Sequence, residues 1–394
     1  MRFPAAAALL LALALPPSFA APFTPPSDAE VVERLPATVN DPSVRRVDSL
    51  RKQLAARPED VDLRLEIARR YFDMAMAQGD PRYVGYAMAA IGPLDRLAPT
   101  NASYWFVRGL LQQYSHDFPG ALKSLDRASE LDANAPEPIA WRAAIDMVQA
   151  RYPEARTECS RLAPLVHRLY AQSCTAYVEA TTGHLRDSYD SLQKDLAAAG
   201  DVPAELKLWV RTRLAEMAIR LQRPDEAQLQ FNQALAVGVT DQFLLGAYSD
   251  FLLAQKRPAE VIKLLADWER SDVLLLRLAL AGKMAKHSRA KDWAGQLRDR
   301  FDAAAQRGDR LHEQEAARFE LDVEGNPKKA LAYAARNYSS QKEPRDAEIL
   351  LRTALAANEP KAAHPAIEWL KSSGYEDPAM AALAAQLATA GARK

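Results

Sequence analysis

Glycine is scarce, with 15 residues in 394, and alanine and leucine are abundant. That balance favours helix throughout. No glycine-rich loop of the kind that cradles phosphate is present, which removes the common nucleotide-binding signatures. Only two cysteines occur, Cys159 and Cys174, with no CxxC pair, so thiol redox catalysis is not expected. The six histidines are scattered without an HxxxH or HExxH spacing, and His312-Glu313-Gln314-Glu315 lacks the second histidine that a metalloprotease helix needs. There is no GxSxG nucleophile turn. Lys and Arg number 51 and Asp and Glu 51, interspersed without blocks, so the basic footprint of a nucleic-acid binder is missing. No stretch beyond the N-terminus is apolar and long enough to span a bilayer. We expect no enzyme, no cofactor, no metal, no nucleic-acid partner and no stable membrane insertion.

The first residues form a separate element. Arg2 gives a positive start, Ala5–Leu15 a short apolar run, and Ser18-Phe19-Ala20 a small-x-small site. This reads as a signal peptide over residues 1–20, cleaved after Ala20. Residues 21–46 are rich in proline and read as an extended leader, with helix proper starting near Val47. Export to the periplasm is expected, with secretion as the second choice. In an oxidising compartment the two cysteines are expected to pair. Pro164 to His167 lie midway between them and suit a turn between antiparallel helices, which sets Cys159 and Cys174 at similar heights.

One phase of small residues then runs along the chain. Ala87, Ala121 and Ala155 are 34 apart, and Ser188, Ala227, Val261, Ala294, Ala330 and Ala363 follow at intervals of 33 to 39. A period near 34 marks stacked helix-turn-helix units, each packing only on its neighbours. In the unit Ala102–Ala135, Gly109 and Ala121 allow two helices to approach, and Trp105, Leu125 and Leu131 fill the wider ends. Arg223-Pro224-Asp225-Glu226 and Arg257-Pro258-Ala259-Glu260 repeat one turn chemistry 34 residues apart. The 39-residue step between Ser188 and Ala227 places extra residues in a loop near 197–203.

Trp105, Gly109, Phe118, Ala121, Leu125 and Ala128 resemble the tetratricopeptide repeat pattern in type and spacing. The resemblance is clearest over 100–270 and thins over 271–390. It implies an all-α right-handed superhelix over 47–394 whose first helices line a concave groove. It maps groove positions onto Phe106, Tyr114, Met147, Tyr170, Tyr177, Trp209, Glu216, Arg220, Phe243 and Asp250. Arg220 is the single arginine in that lining, so the carboxylate-clamp mode of some members is not expected. The resemblance implies a non-catalytic scaffold for protein or peptide partners, here in envelope assembly or maturation. Two alternatives stay open: an enzyme or accessory lobe acting on cell-wall or polysaccharide chains, and a carrier of a small ligand or metal.

Overall fold

Every regular element among the residues described by the computed structural model (42–392, apart from 79, 81 and 240) is helical. The expected signal peptide and the leader up to residue 41 lie outside them. The described residues from Val47 onward form one compact unit. The first helix, α1 (Pro42–Ala56), begins five residues before Val47. Proline suits a first helical position because no N–H is needed there.

Helices then follow in hairpins. The first pair is α2 (Val61–Gln78) with α3 (Arg82–Ile91), extended by α4 (Leu94–Leu97). Gly92-Pro93 separates α4 from α3, since Pro93 brings no amide and disfavours helix before it. Next come α5 (Ala102–Tyr114) with α6 (Phe118–Leu131), α7 (Pro136–Val148) with α8 (Tyr152–Leu162), and α9 (Arg168–Thr181) with α10 (Leu185–Ala198). They are followed by α11 (Ala204–Arg220) with α12 (Pro224–Leu235), α13 (Gln242–Ala254) with α14 (Pro258–Leu264), and α15 (Asp272–Ala285) with α16 (Ala290–Gln306). The last are α17 (Glu313–Phe319), running through a π turn, with α18 (Pro327–Ser340), then α19 (Pro344–Ala356) with α20 (His364–Ser373), and finally α21 (Pro378–Ala392).

One turn chemistry closes the hairpins from α5 to α20. His116, Ala150, Gly183, Gln222, Lys256, Lys286, Gly325 and Asn358 all sit at positive φ, one per hairpin. The next residue's amide reaches back to the first helix: Arg151 to the Asp146 carbonyl at 2.8 Å, Arg223 to Ala218 at 2.9 Å, Arg257 to Leu252 at 2.9 Å. This Schellman-type bond satisfies a carbonyl the helix end leaves open. Asn326 bonds Glu320 at 2.7 Å, six residues back, because the π turn adds one residue. Several second helices then carry proline at their first or second position, as at Pro119, Pro153, Pro224, Pro258 and Pro327. Six of these eight turns place a side chain in the left-handed region, at about 1 kcal/mol or more each, which explains how the chain manages with so few glycines.

The small-residue phase marks the helix contacts. Ala87, Ala121, Ala155, Ala227, Val261 and Ala330 are fully buried. A side-chain carbon added at Gly109 would stand 2.8 Å from Leu125, so α5 and α6 touch there. Two positions depart from the pattern. Ala363 lies in a 3-10 turn ahead of α20. At α16 the phase slips by one: Ala294 is only partly buried, and Trp293 takes the contact, its ring 2.9 Å from where a side chain on Gly282 would begin. The long step becomes the loop 199–203, whose Val202 is buried in a hydrophobic core running from Leu169 to Phe319 without interruption. Cys159 of α8 and Cys174 of α9 form a disulfide with Cα atoms 5.5 Å apart.

The concave side is not an open groove. The last hairpins lie across it, so distant segments meet. The Lys342 amide donates to the Val148 carbonyl at 2.7 Å, and Trp369 Nε1 donates to Tyr152 Oη at 2.7 Å. Glu376 accepts from the Leu185 amide at 2.7 Å, capping the start of α10, where His184 offers no side-chain cap. Arg220, ending α11, donates to the Glu376 carbonyl at 3.0 Å and the Ala180 carbonyl at 2.6 Å, and stacks on Tyr375 at 3.8 Å.

Candidate functional site

Closure leaves a cavity of about 1360 Å³ inside the array. Its walls come mainly from the first helices of hairpins, α2, α5, α9, α11, α13, α15, α17 and α19, with the start of α21. This follows from the repeat: second helices form the outer layer and first helices the inner one.

The expected groove residues divide. Tyr114, Tyr177, Arg220 and Phe243 line the cavity together with Glu216 and Asp250. Phe106, Tyr170 and Trp209 do not. Phe106 packs against the α5–α6 core with Arg69 5.8 Å over its ring. Trp209 packs against the long core. Tyr170 is exposed near the start of α9, away from the cavity. Met147 is buried beside the disulfide. The lining holds six arginines, Arg213, Arg220, Arg277, Arg318, Arg345 and Arg352, rather than Arg220 alone. Arg213 had a legible signal, being one helical turn before Glu216 on the same face of α11. Arg318, Arg345, Arg352 and Tyr375 had none, since they reach the cavity only through closure.

These side chains are tightly held. The Arg213 guanidinium lies 4.4 Å from the Tyr177 ring and 4.5 Å from the Phe243 ring, and bonds Glu216 at 2.8 Å. Arg345 lies 5.8 Å over Phe243 and pairs with Glu343 at 2.6 Å. Asp250 accepts from Arg277 on one oxygen and forms an ion pair with Arg318 on the other, both at 2.7 Å. Burial alone would raise its carboxyl pKa; the two guanidiniums hold it below the ordinary value. Glu315 is likewise buried, but His312, 3.8 Å away, brings it down to about 2.

Other carboxyls are not neutralised. Partial desolvation raises Asp73 and Glu348, and the nearby arginines, Arg70 for Asp73 and Arg352 at 3.8 Å for Glu348, offset it only in part. Tyr114 is pushed up to about 12 by burial and by Asp80, Asp272 and Asp309. Asp346 is raised to about 7 by burial and by the charge of Glu343. Its oxygens are committed, accepting from Asn337 Nδ2 at 2.8 Å and the Glu343 amide at 3.0 Å, so it caps α19 and offers no free catalytic acid. In all, ten carboxyl side chains line the cavity against six arginines. Arg213 Nε, Arg277 Nε and His312 Nε2 are buried with no hydrogen-bond partner. Among the described residues, no group of His, Cys, Asp and Glu is arranged to hold a metal ion, and no helix is long and apolar enough to cross a membrane.

No family model and no curated protein matches the sequence. Solved structures with similar chain traces include the human IFIT1 dimer with m7Gppp-AAAA, at 14% identity over 90% of this chain and 87% of that one, TM-score 0.46. Yeast Tom70 is 13% identical over 90% of this chain and 86% of that one, TM-score 0.42. In the Cut9–Hcn1 hetero-tetramer of APC/C the match is 12% identical over 79% of this chain, TM-score 0.38, and this chain spans about half (52%) of that one. At these values the likeness carries nothing about function. By its own repeat geometry the chain is a tetratricopeptide-like α-solenoid.

Proposed function

We propose that the chain is a non-catalytic binding protein that holds a segment of a partner protein in its central cavity. The observation that carries this is the convergence of first helices from eight hairpins on one cavity of about 1360 Å³. That is roomier than the roughly 300–1,000 Å³ usual for small-molecule pockets. Its walls are preorganised by the Tyr177–Arg213–Phe243 stack, which lowers the entropy cost of binding. The acidic pair Glu343 and Asp346 is used as a capping box at the start of α19, which argues against acid–base chemistry by that pair. The N-terminal pattern and the disulfide support a place in the periplasm, and envelope assembly or maturation is the process we assign.

A photo-crosslinking amino acid at Phe243, compared with one at Tyr170 outside the cavity, tests the reading in cells. We expect one protein adduct from position 243 and none from 170. Adducts from 170 alone, or from neither, would overturn it.

A further inference from the structure

We propose that the cavity takes a basic peptide segment, one presenting Lys or Arg side chains from an extended backbone. This rests on the binding function proposed above and names the chemistry of the occupant.

Charge comes first. The arginines of the lining are already matched: Arg213 to Glu216, Arg345 to Glu343, Arg277 and Arg318 to Asp250, Arg352 to Asp322 at 2.6 Å. Arg220 is spent on two carbonyls. Asp241 and Asp377 accept from helix-start amides. Asp73, Glu205 and Glu348 also line the space, with no hydrogen bond from a cation to any of the three. Asp73 and Glu348 are exposed in the lining, so a cationic side chain of an occupant can reach them and add to the carboxyl side of the charge balance.

The aromatic walls point the same way. Tyr177, Phe243 and Tyr375 already carry guanidiniums on their faces at 4.4, 4.5 and 3.8 Å. The protein's own arginines thus show what this wall accepts, a flat or compact cation against a π face.

Hydrogen bonding then selects a peptide over a simple polycation. Arg277 is only 6% exposed as a side chain, lies on the wall, and keeps its Nε without an acceptor, as do Arg213 Nε and His312 Nε2. Unmet buried donors call for acceptors. A polyamine brings none. An acidic chain brings acceptors but meets the carboxyl surplus. A basic peptide supplies carbonyl oxygens to the donors and cations to Asp73 and Glu348.

The test uses the whole chain and labelled peptides of one length whose variable positions are all Lys, all Glu or all Gln, read by fluorescence anisotropy at low and physiological salt. The Lys peptide should bind at least about tenfold more tightly than the Gln peptide, a difference near 1.4 kcal/mol. Its affinity should fall with salt. Asp73→Asn with Glu348→Gln should remove most of the difference without changing Gln-peptide binding or the circular dichroism. Equal or tighter binding of the Gln or Glu peptide overturns the basic preference and leaves the binding function standing. Spermine binding as tightly as the Lys peptide overturns the peptide assignment. Binding of none of the three peptides overturns the inference outright; the binding function then stands or falls on the adduct at position 243.

Discussion

Tyr152→Phe tests the closure on which the cavity depends. The substitution keeps the ring and removes one oxygen, which accepts from Trp369 Nε1 at 2.7 Å. Both side chains are buried, at 7% and 6% exposure, so water cannot replace the lost acceptor. Packing is nearly unchanged, and the cost is that of an orphaned buried N–H, about 1–2 kcal/mol after the hydroxyl's own desolvation is relieved. That corresponds to an opening of the last hairpins about 5–30-fold more frequent. A repeat array need not unfold in one step, so a global midpoint is the wrong assay. Peptide-resolved hydrogen exchange is the right one. Tyr152 begins α8 and Trp369 lies in α20, 217 residues apart in sequence. Protection should fall in both helices together. Loss confined to α8, or unchanged protection in both, would refute the placement of the C-terminal hairpins over the concave side.

Three further outcomes follow from the packing and the titrating groups. Gly109→Ala should destabilise by about 1–2 kcal/mol in urea unfolding, because overpacking against Leu125 at 2.8 Å outweighs the helix propensity gained; a more stable variant would show that α5 and α6 do not cross there. Cys159→Ser should cost roughly 3 kcal/mol in oxidised protein, as expected for a loop of 15 residues, and mass spectrometry finding two free thiols in exported material would remove the disulfide from the account. His116, pushed down to about 4 by burial and by His312, contributes stability that is complete above its ordinary value of 6.5 and is lost as pH falls toward 4, by about 3 kcal/mol at most. His116→Gln should flatten melting temperature over that window. Glutamine is compatible with this turn, since Gln222 adopts the same φ of 59° at the matching position. An unchanged acid limb would place the sensitivity elsewhere.

Much of the architecture was readable in advance because steric demand recurs. Wherever two helix backbones cross closely a small residue is required, so Ala121, Ala155 and Ala227 betray the period. The turns were less readable. Their left-handed residues are His, Ala, Gln, Lys or Asn in six of the eight and Gly in only two, because the backbone bond that closes each turn depends on geometry and little on side-chain identity. The site was half readable. Tyr177 and Phe243 fall on the inner face as the repeat phase implies, whereas Phe106 and Trp209 are turned away into packing, the difference of a fraction of a helical turn. Closure left no trace in the sequence. One of its anchors, between Val148 and Lys342, is made by main-chain atoms that any residues could supply, and the side-chain anchors join residues 191 and 217 positions apart, which no local pattern marks.

The link between Glu376 and the start of α10 changes how this array must be built. In an ordinary solenoid folding can nucleate at any point, and each unit depends only on its immediate neighbours. Here α10 receives its cap from a residue 191 positions later. A chain emerging N-terminus first holds α8 to α11 in an unfinished state until its last fifty residues arrive, and contacts of such long range slow the final step. Shortening the chain by its last helices would therefore be felt in the middle of the molecule before it was felt at the end.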